Sequence, residues 1–252
     1  MISIKNNSEI AKMRESNRIV GLLLHKLRKY VVPGVTTLEL SKIAEDIIRS
    51  EGGKPAFKGY SVPGLSPFPA AVCTSVNSCI VHGIPSKSTV LIEGDIIGVD
   101  VGVYKDGYYG DAARTYLVGE ISAEAKALLA ITQEALELAI DAAKVGNRIG
   151  DISSAIGDFA SANGYHVADD LTGHGIGKAL HEDPMIPNFG NAGKGPRIRK
   201  GMTLAIEPMF NVGTSHVQEK GWEYFTLDGS LSAHFENTIL ITDGESEILS
   251  IY

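Results

Sequence analysis

Four carboxylates and one imidazole stand in stretches that otherwise read as buried. Asp100 and Asp111 lie in VDVGVYKDGYYGDAARTY, which reads as two strands joined by a tight turn. A two-residue KD or DG turn, or a four-residue KDGY loop, sets the two aspartates either directly opposite or diagonal to each other. Both registers keep them on one face, roughly 5 to 8 Å apart between Cβ atoms. Two like charges that close in an apolar setting repel strongly, so either one is protonated or a cation sits between them. A surface hairpin with solvated acids is the plain alternative, and the flanking Ile96, Ile97, Val99, Val101 and Val103 weigh against it. Glu207 follows Met202, Leu204, Ala205 and Ile206, while Glu236 precedes Ile239, Leu240 and Ile241, so each acid ends an apolar strand. His174 stands between glycines in DLTGHGIGKALHEDP, where backbone can approach closely and a ring can point at a ligand. On its own, such a histidine is more often a hydrogen-bonded core residue. Taken as a set, oxygen-rich ligation with one nitrogen suits two divalent ions sharing carboxylates. It matches structural zinc poorly, because that ion favours cysteine.

Helices and strands must carry these groups. Ser8 to about Tyr30 has Ile10, Met13, Ile19, Leu22, Leu23 and Leu27 at helical spacing. Thr36 with Glu39 has capping-box spacing before a second helix that Gly52 and Gly53 should end. A long helix over Ser122 to Ala143 and a shorter one in VGNRIGDISSAIGDFASANG repeat that order. One fixed offset aligns Gly34 with Gly146, Glu39 with Asp151, Leu40 with Ile152, Ile47 with Phe159 and Gly52 with Gly164. GDIIGVD, ending at Asp100, likewise echoes GMTLAIE, ending at Glu207. The pattern suggests a duplicated unit of helix, helix and strands, and its period is far too long for a solenoid.

Composition narrows the function classes. The 252 residues are 44% hydrophobic and 21% charged, ordinary for a globular chain with a full core. Lys plus Arg is 23 against 30 for Asp plus Glu, so no broad basic face for nucleic acid or anionic lipid is advertised, and no nucleic-acid motif appears. The N-terminal run lacks the order of a signal peptide, and no apolar stretch approaches the ~18 residues of a membrane span. A cytoplasmic protein without membrane contact is expected. Cys73 and Cys79 match no common zinc spacing and are expected to be reduced thiols.

VHGIP (Val81 to Pro85), the hairpin aspartates, GHGIGKALHEDP, GMTLAIEPM and SAHFENTIL occur in the order and spacing of the type I methionine aminopeptidases. The resemblance covers nearly the whole chain. It implies an α+β pita-bread fold: one catalytic domain over 1–252, made of pseudo-symmetric halves, about 1–117 and 118–252, with curved antiparallel sheets and outer helices. Carried over by position, Asp100, Asp111, His174, Glu207 and Glu236 resemble the family's five metal ligands, with Asp111 and Glu236 bridging two ions. Asp100 would complete one ion's shell, and His174 with Glu207 the other's. The implied activity is removal of the initiator methionine from nascent chains and peptides with a small second residue, through a metal-bridging hydroxide. Glu207 would move the proton, and His82 and His181 would bind the scissile amide. Tyr60, Cys73 and Trp222 resemble the family's pocket walls, with Phe57, Phe68 and Leu180 as additions. The chain departs from the family in a longer loop between Tyr60 and Cys73 and in Leu180, where phenylalanine is frequent. Cobalt, manganese, iron and zinc all accept this ligand set. The family resemblance further implies a monomer with transient ribosome contact. Two other readings share the fold: a prolidase or Xaa-Pro aminopeptidase, which usually carries an extra N-terminal domain, and a non-enzymatic binding module, which need not keep the ligands.

Overall fold

A computed structural model describes residues 2–251. Four helices lie outside antiparallel sheets: α1 (Asn7–Leu27), α2 (Thr37–Ser50), α3 (Ala123–Ala142) and α4 (Ile149–Ala162). The first begins earlier than its apolar period suggests, because Asn6 supplies the cap. Its Oδ1 accepts from the N–H groups of Ser8 and Glu9, and Glu9 Oε2 accepts from Asn6 N–H, satisfying donors that a bare helix end leaves open. It also ends earlier, at Leu27, and Arg28–Tyr30 continues as a 3-10 turn. The capping box of Thr36 and Glu39 forms as read, and Ser122 caps α3.

The repeated positions adopt matching conformations. Gly34 and Gly146 have φ of 92° and 97°, and Gly52 and Gly164 have 75° and 77°, a left-handed region that favours glycine. Asp151 caps α4 as Glu39 caps α2. The core has two large clusters. In the first, Ile19, Leu23 and Leu27 of α1 and Leu40 and Ile48 of α2 pack on Ile97, Val99, Val101 and Val103. In the second, α3 and α4 cover Leu204, Ile206, Phe210 and Ile239. Burying each such side chain contributes about 1.5–3 kcal/mol. A third cluster joins Phe57, Phe68 and Cys73 to Ile176, Leu180 and Ala205.

The first sheet centres on the long strand Ile96–Lys105, paired with Lys54–Pro55, Cys73–Val76 and Tyr108–Leu117. The second has five strands, in spatial order Glu247–Ile248, Asn237–Leu240, Thr203–Ile206, Thr172–Gly175 and Glu182–Pro187. Two three-stranded sheets accompany these. Hydrogen bonds between Tyr108–Leu117 and the chain around Asn237–Leu240 join the four- and five-stranded sheets. Glu236 N–H donates to Ala113 O at 2.9 Å, and Thr238 Oγ1 donates to Asp111 O at 2.7 Å. Among the described residues, no helix is long and apolar enough to cross a membrane.

Candidate metal centre and active site

The hairpin settles on the DG turn. Lys105 pairs with Tyr108, and Asp106 and Gly107 take φ of 51° and 88°, the positive values that a tight two-residue turn needs. Gly102 therefore faces Asp111 and Asp100 faces Ala113, so the two aspartates are diagonal neighbours on one face. The junction between the sheets brings Glu236 against them, since its N–H is bound two residues from Asp111. From the second sheet, His174 pairs with Ala205, and Glu207 emerges just past Ile206. The glycines beside His174 are required by closeness. A Cβ on Gly173 would lie 2.5 Å from Ala205 O, and one on Gly175 would lie 2.1 Å from Asp183 O.

Asp111, His174 and Glu236 each offer a ligand atom within 4.8 Å of the others, and all three are buried. Glu207 Oε1 lies 3.6 Å from His174 Nε2, and Asp111 Oδ2 lies 4.0 Å from the same nitrogen. His174 Nδ1 is 2.9 Å from Gly175 O, which can only accept, so Nδ1 carries the proton and Nε2 turns its lone pair to the carboxylates. Asp100 Oδ1, Asp111 Oδ1 and Glu236 Oε1 are buried without any hydrogen-bond partner. Orphaned buried carboxylate oxygens are costly, and several pointing into one space fit the ligand shell of hard or borderline divalent cations.

Electrostatics agree. Burial lifts Glu207 to about 8 and Asp100 to about 7; His234 opposes the rise at Asp100 and Glu207 adds to it. Burial, then repulsion from Asp100 and Glu207, raises Asp111 well above the carboxylate range, and burial with Asp111 does the same to Glu236. His174 is pushed the other way, to about 3, by burial and by His181, so its imidazole is neutral, the form that binds metal.

Above the carboxylates lies a cavity of about 210 Å³ whose wall includes all the residues singled out in the sequence. Phe57, Phe68, Cys73 and Leu180 are its buried apolar members. The loop after Tyr60 folds back, with Gly59 N–H bound to Phe68 O and Phe68 N–H bound to Tyr60 O, both at 2.8 Å. This hairpin places Phe68 edge-on to Trp222, with centroids 5.6 Å apart, although the longer loop separates it in sequence from Tyr60. Trp222 Nε1 donates to Ser66 O at 2.8 Å, tying the loop to a residue 156 positions away. Tyr60 OH and His181 Nδ1 are 2.9 Å apart. His82 takes φ of 58° and stands edge-on to Tyr224, and burial lowers it to about 4. Gly83 beside it is obligatory, because a Cβ there would meet Thr74 O at 2.2 Å. Both cysteines are buried and free.

One site residue escaped the sequence reading. His234 is buried, its Nε2 has no hydrogen-bond partner, and that atom lies 3.6 Å from Glu207 Oε2. The signal was present in SAHFENT: in extended chain, positions 234 and 236 share a face. Val62, from the long loop, also reaches the cavity wall.

An α+β fold of antiparallel sheets with outer helices, framing a buried carboxylate–imidazole cluster, defines a metal-binding scaffold. The chain belongs to metallopeptidase family M24, which residues 11–243 match. Within that family it is 50% identical to a methionine aminopeptidase of Clostridium acetobutylicum, over 100% of this chain and 99% of that protein. It is 45% identical to methionine aminopeptidase 1 of Bacillus subtilis, over 99% of each. The crystal structure of a methionine aminopeptidase from Thermotoga maritima superposes with a TM-score of 0.97, at 47% identity and covering 100% of both chains. The prolidase of Pyrococcus horikoshii OT3 shares the fold alone, with a TM-score of 0.79 at 23% identity, covering 98% of this chain and 63% of that one. The architecture is thus the pita-bread fold expected from the sequence.

Proposed function

We propose that this chain is a metal-dependent aminopeptidase that removes N-terminal methionine, acting on nascent chains and peptides with a small second residue. The observation that carries the reading is the convergence of Asp111, His174 and Glu236 within 4.8 Å, with orphaned carboxylate oxygens, in a cavity also lined by Phe57, Phe68, Leu180 and Trp222. Asp100, Asp111, His174, Glu207 and Glu236 would hold two divalent cations, drawn from cobalt, manganese, iron or zinc. When bound, such cations acidify water and polarise a carbonyl. The chain's own residues do the rest. Glu207, whose affinity for a proton is raised by burial, accepts a proton at its carboxylate and passes it to the leaving amine nitrogen.

With Tyr60 OH donating to Nδ1, His181 would keep its proton on Nε2 and donate it toward the substrate amide. His82, neutral through burial, acts as a second uncharged donor. Phe57, Tyr60, Phe68, Cys73, Leu180 and Trp222 would enclose an unbranched apolar side chain. We place this activity in one domain of two pseudo-symmetric halves, in the cytoplasm, in a monomer meeting nascent chains near the ribosome. The decisive experiment strips the chain with a chelator, restores manganese or cobalt, and offers Met-Ala-Ser beside peptides with a second-position proline. Metal-restored release of methionine from the first alone is expected. Equal cleavage of X-Pro bonds would reassign the chain to prolidase-like chemistry, and no cleavage at all would leave a binding module.

A further inference from the structure

Glu182 follows His181 directly, yet its carboxylate is bound by the turn and by Lys5 and not by the carboxylate–imidazole cluster. Oε1 accepts from the N–H groups of Lys178 at 2.7 Å and Ala179 at 3.1 Å, closing the turn that carries Leu180 and His181. Oε2 accepts from Lys5 Nζ at 2.8 Å, and the two side chains are only 3% and 15% exposed. Lys5 comes from the segment preceding α1, where its own N–H is anchored to Gly201 O at 2.8 Å. The fit leaves no slack. A Cβ on Gly177 would lie 2.6 Å from Lys5 Cε and 2.7 Å from Glu182 Oε1. On the other side, Gly177 O accepts from Tyr109 N–H at 2.8 Å, which fastens the turn to the hairpin bearing Asp111.

A buried ion pair is a poor device for stability, because removing both charges from water costs about as much as their attraction returns. What it supplies is a fixed geometry, and the neighbour so fixed is His181. That ring is otherwise held by the hydroxyl of Tyr60 and by edge contact with His174 at 4.4 Å between centroids.

We propose that the Lys5–Glu182 pair is a positioning device for His181, by which the segment preceding α1 holds the substrate histidine at its working distance from the scissile amide. The inference rests on the reading of His181 as a substrate-binding group. Neither Lys5 nor Glu182 touches substrate; both act through the backbone of the 177–182 turn.

The test uses the full chain loaded with manganese and Met-Ala-Ser as substrate. Lys5→Met keeps the apolar stem and deletes the charge, and it should lower kcat/KM about tenfold, since small displacements of a positioned group cost that much or more. Manganese bound per chain should not change, and Lys5→Arg should recover most of the loss. In a His181→Ala background, Lys5→Met should have no further effect. A loss of the same size with and without His181, or no loss at all, would overturn the proposal. Should His181→Ala itself be fully active, the role given to His181 fails first, and the positioning role goes with it. Histidine side-chain nitrogen spectra of the chain loaded with diamagnetic zinc give a readout independent of turnover: Lys5→Met should shift the His181 signals and leave those of His174 in place, and an unmoved His181 would equally overturn the idea. If Lys5→Met does not fold, Glu182→Gln, which retains an acceptor for the two turn amides, takes its place with the same expectations.

Discussion

Cation binding to this chain should release protons and weaken steeply below neutral pH. Burial lifts Asp100 to about 7 and Glu207 to about 8, and holds Asp111 and Glu236 well above the carboxylate range. Near pH 6 the metal-free site is therefore mostly protonated, whereas divalent cations bind carboxylates in the ionised form. If two protons leave on binding, affinity falls about 100-fold, or ~2.7 kcal/mol, for each pH unit below about 7. Folding stability of the metal-free chain has its own pH dependence. A raised carboxylate pKa means that the native state keeps protons which the unfolded chain releases above about pH 4. The metal-free protein thus loses stability as pH rises from about 4 through the folded values of about 7 and about 8, and the raised Asp111 and Glu236 add to the loss. Bound cations compensate the charges, so the gap in melting temperature between loaded and metal-free chain should widen between pH 6 and pH 8. Calorimetric titration with manganese in two buffers of different ionisation enthalpy counts the released protons directly. A count of zero at pH 7, with a melting gap that does not change with pH, would show that the free carboxylates are already ionised and would refute the reasoning.

Glu207→Gln should keep peptide affinity and lose turnover by about 10²–10⁴, the range of a lost general acid–base group; full activity in the variant would remove Glu207 from proton transfer. Gly83→Ala forces a Cβ against the Thr74 carbonyl at 2.2 Å, where backbone rather than a flexible side chain must yield. A stability loss of about 2 kcal/mol or more in denaturant titration, with weakened substrate binding through His82, is expected. Burial raises Cys73 well above the ordinary thiol range and Cys79 to about 12, so neither should alkylate with iodoacetamide at pH 8 in the folded chain, while both should in denaturant. Mass spectrometry would show the two added groups only after unfolding.

The helices and their ends were legible because capping is a local exchange of hydrogen bonds. Thr36 with Glu39, and Gly52 beyond α2, sit where their side-chain chemistry dictates. The shared face of Asp100 and Asp111 was legible for a similar reason, since strand alternation fixes facing in either register. The choice between registers was not legible, as KD and DG turns both close the hairpin and only packing selects one. The cap at Asn6 was passed over because the apolar period begins later than the cap.

By itself, then, the sequence determined the element types, the duplicated pattern and the residue chemistry of the site, all of which follow from neighbours a few positions apart. Tertiary structure alone decided how Glu236 is latched to Ala113, how Ser66 meets Trp222, that His234 faces Glu207, and that Lys5 braces the turn bearing His181. Those contacts join residues far apart along the chain. Their formation depends on how two separately packed cores meet, a summed effect of many small burial energies that no local pattern encodes.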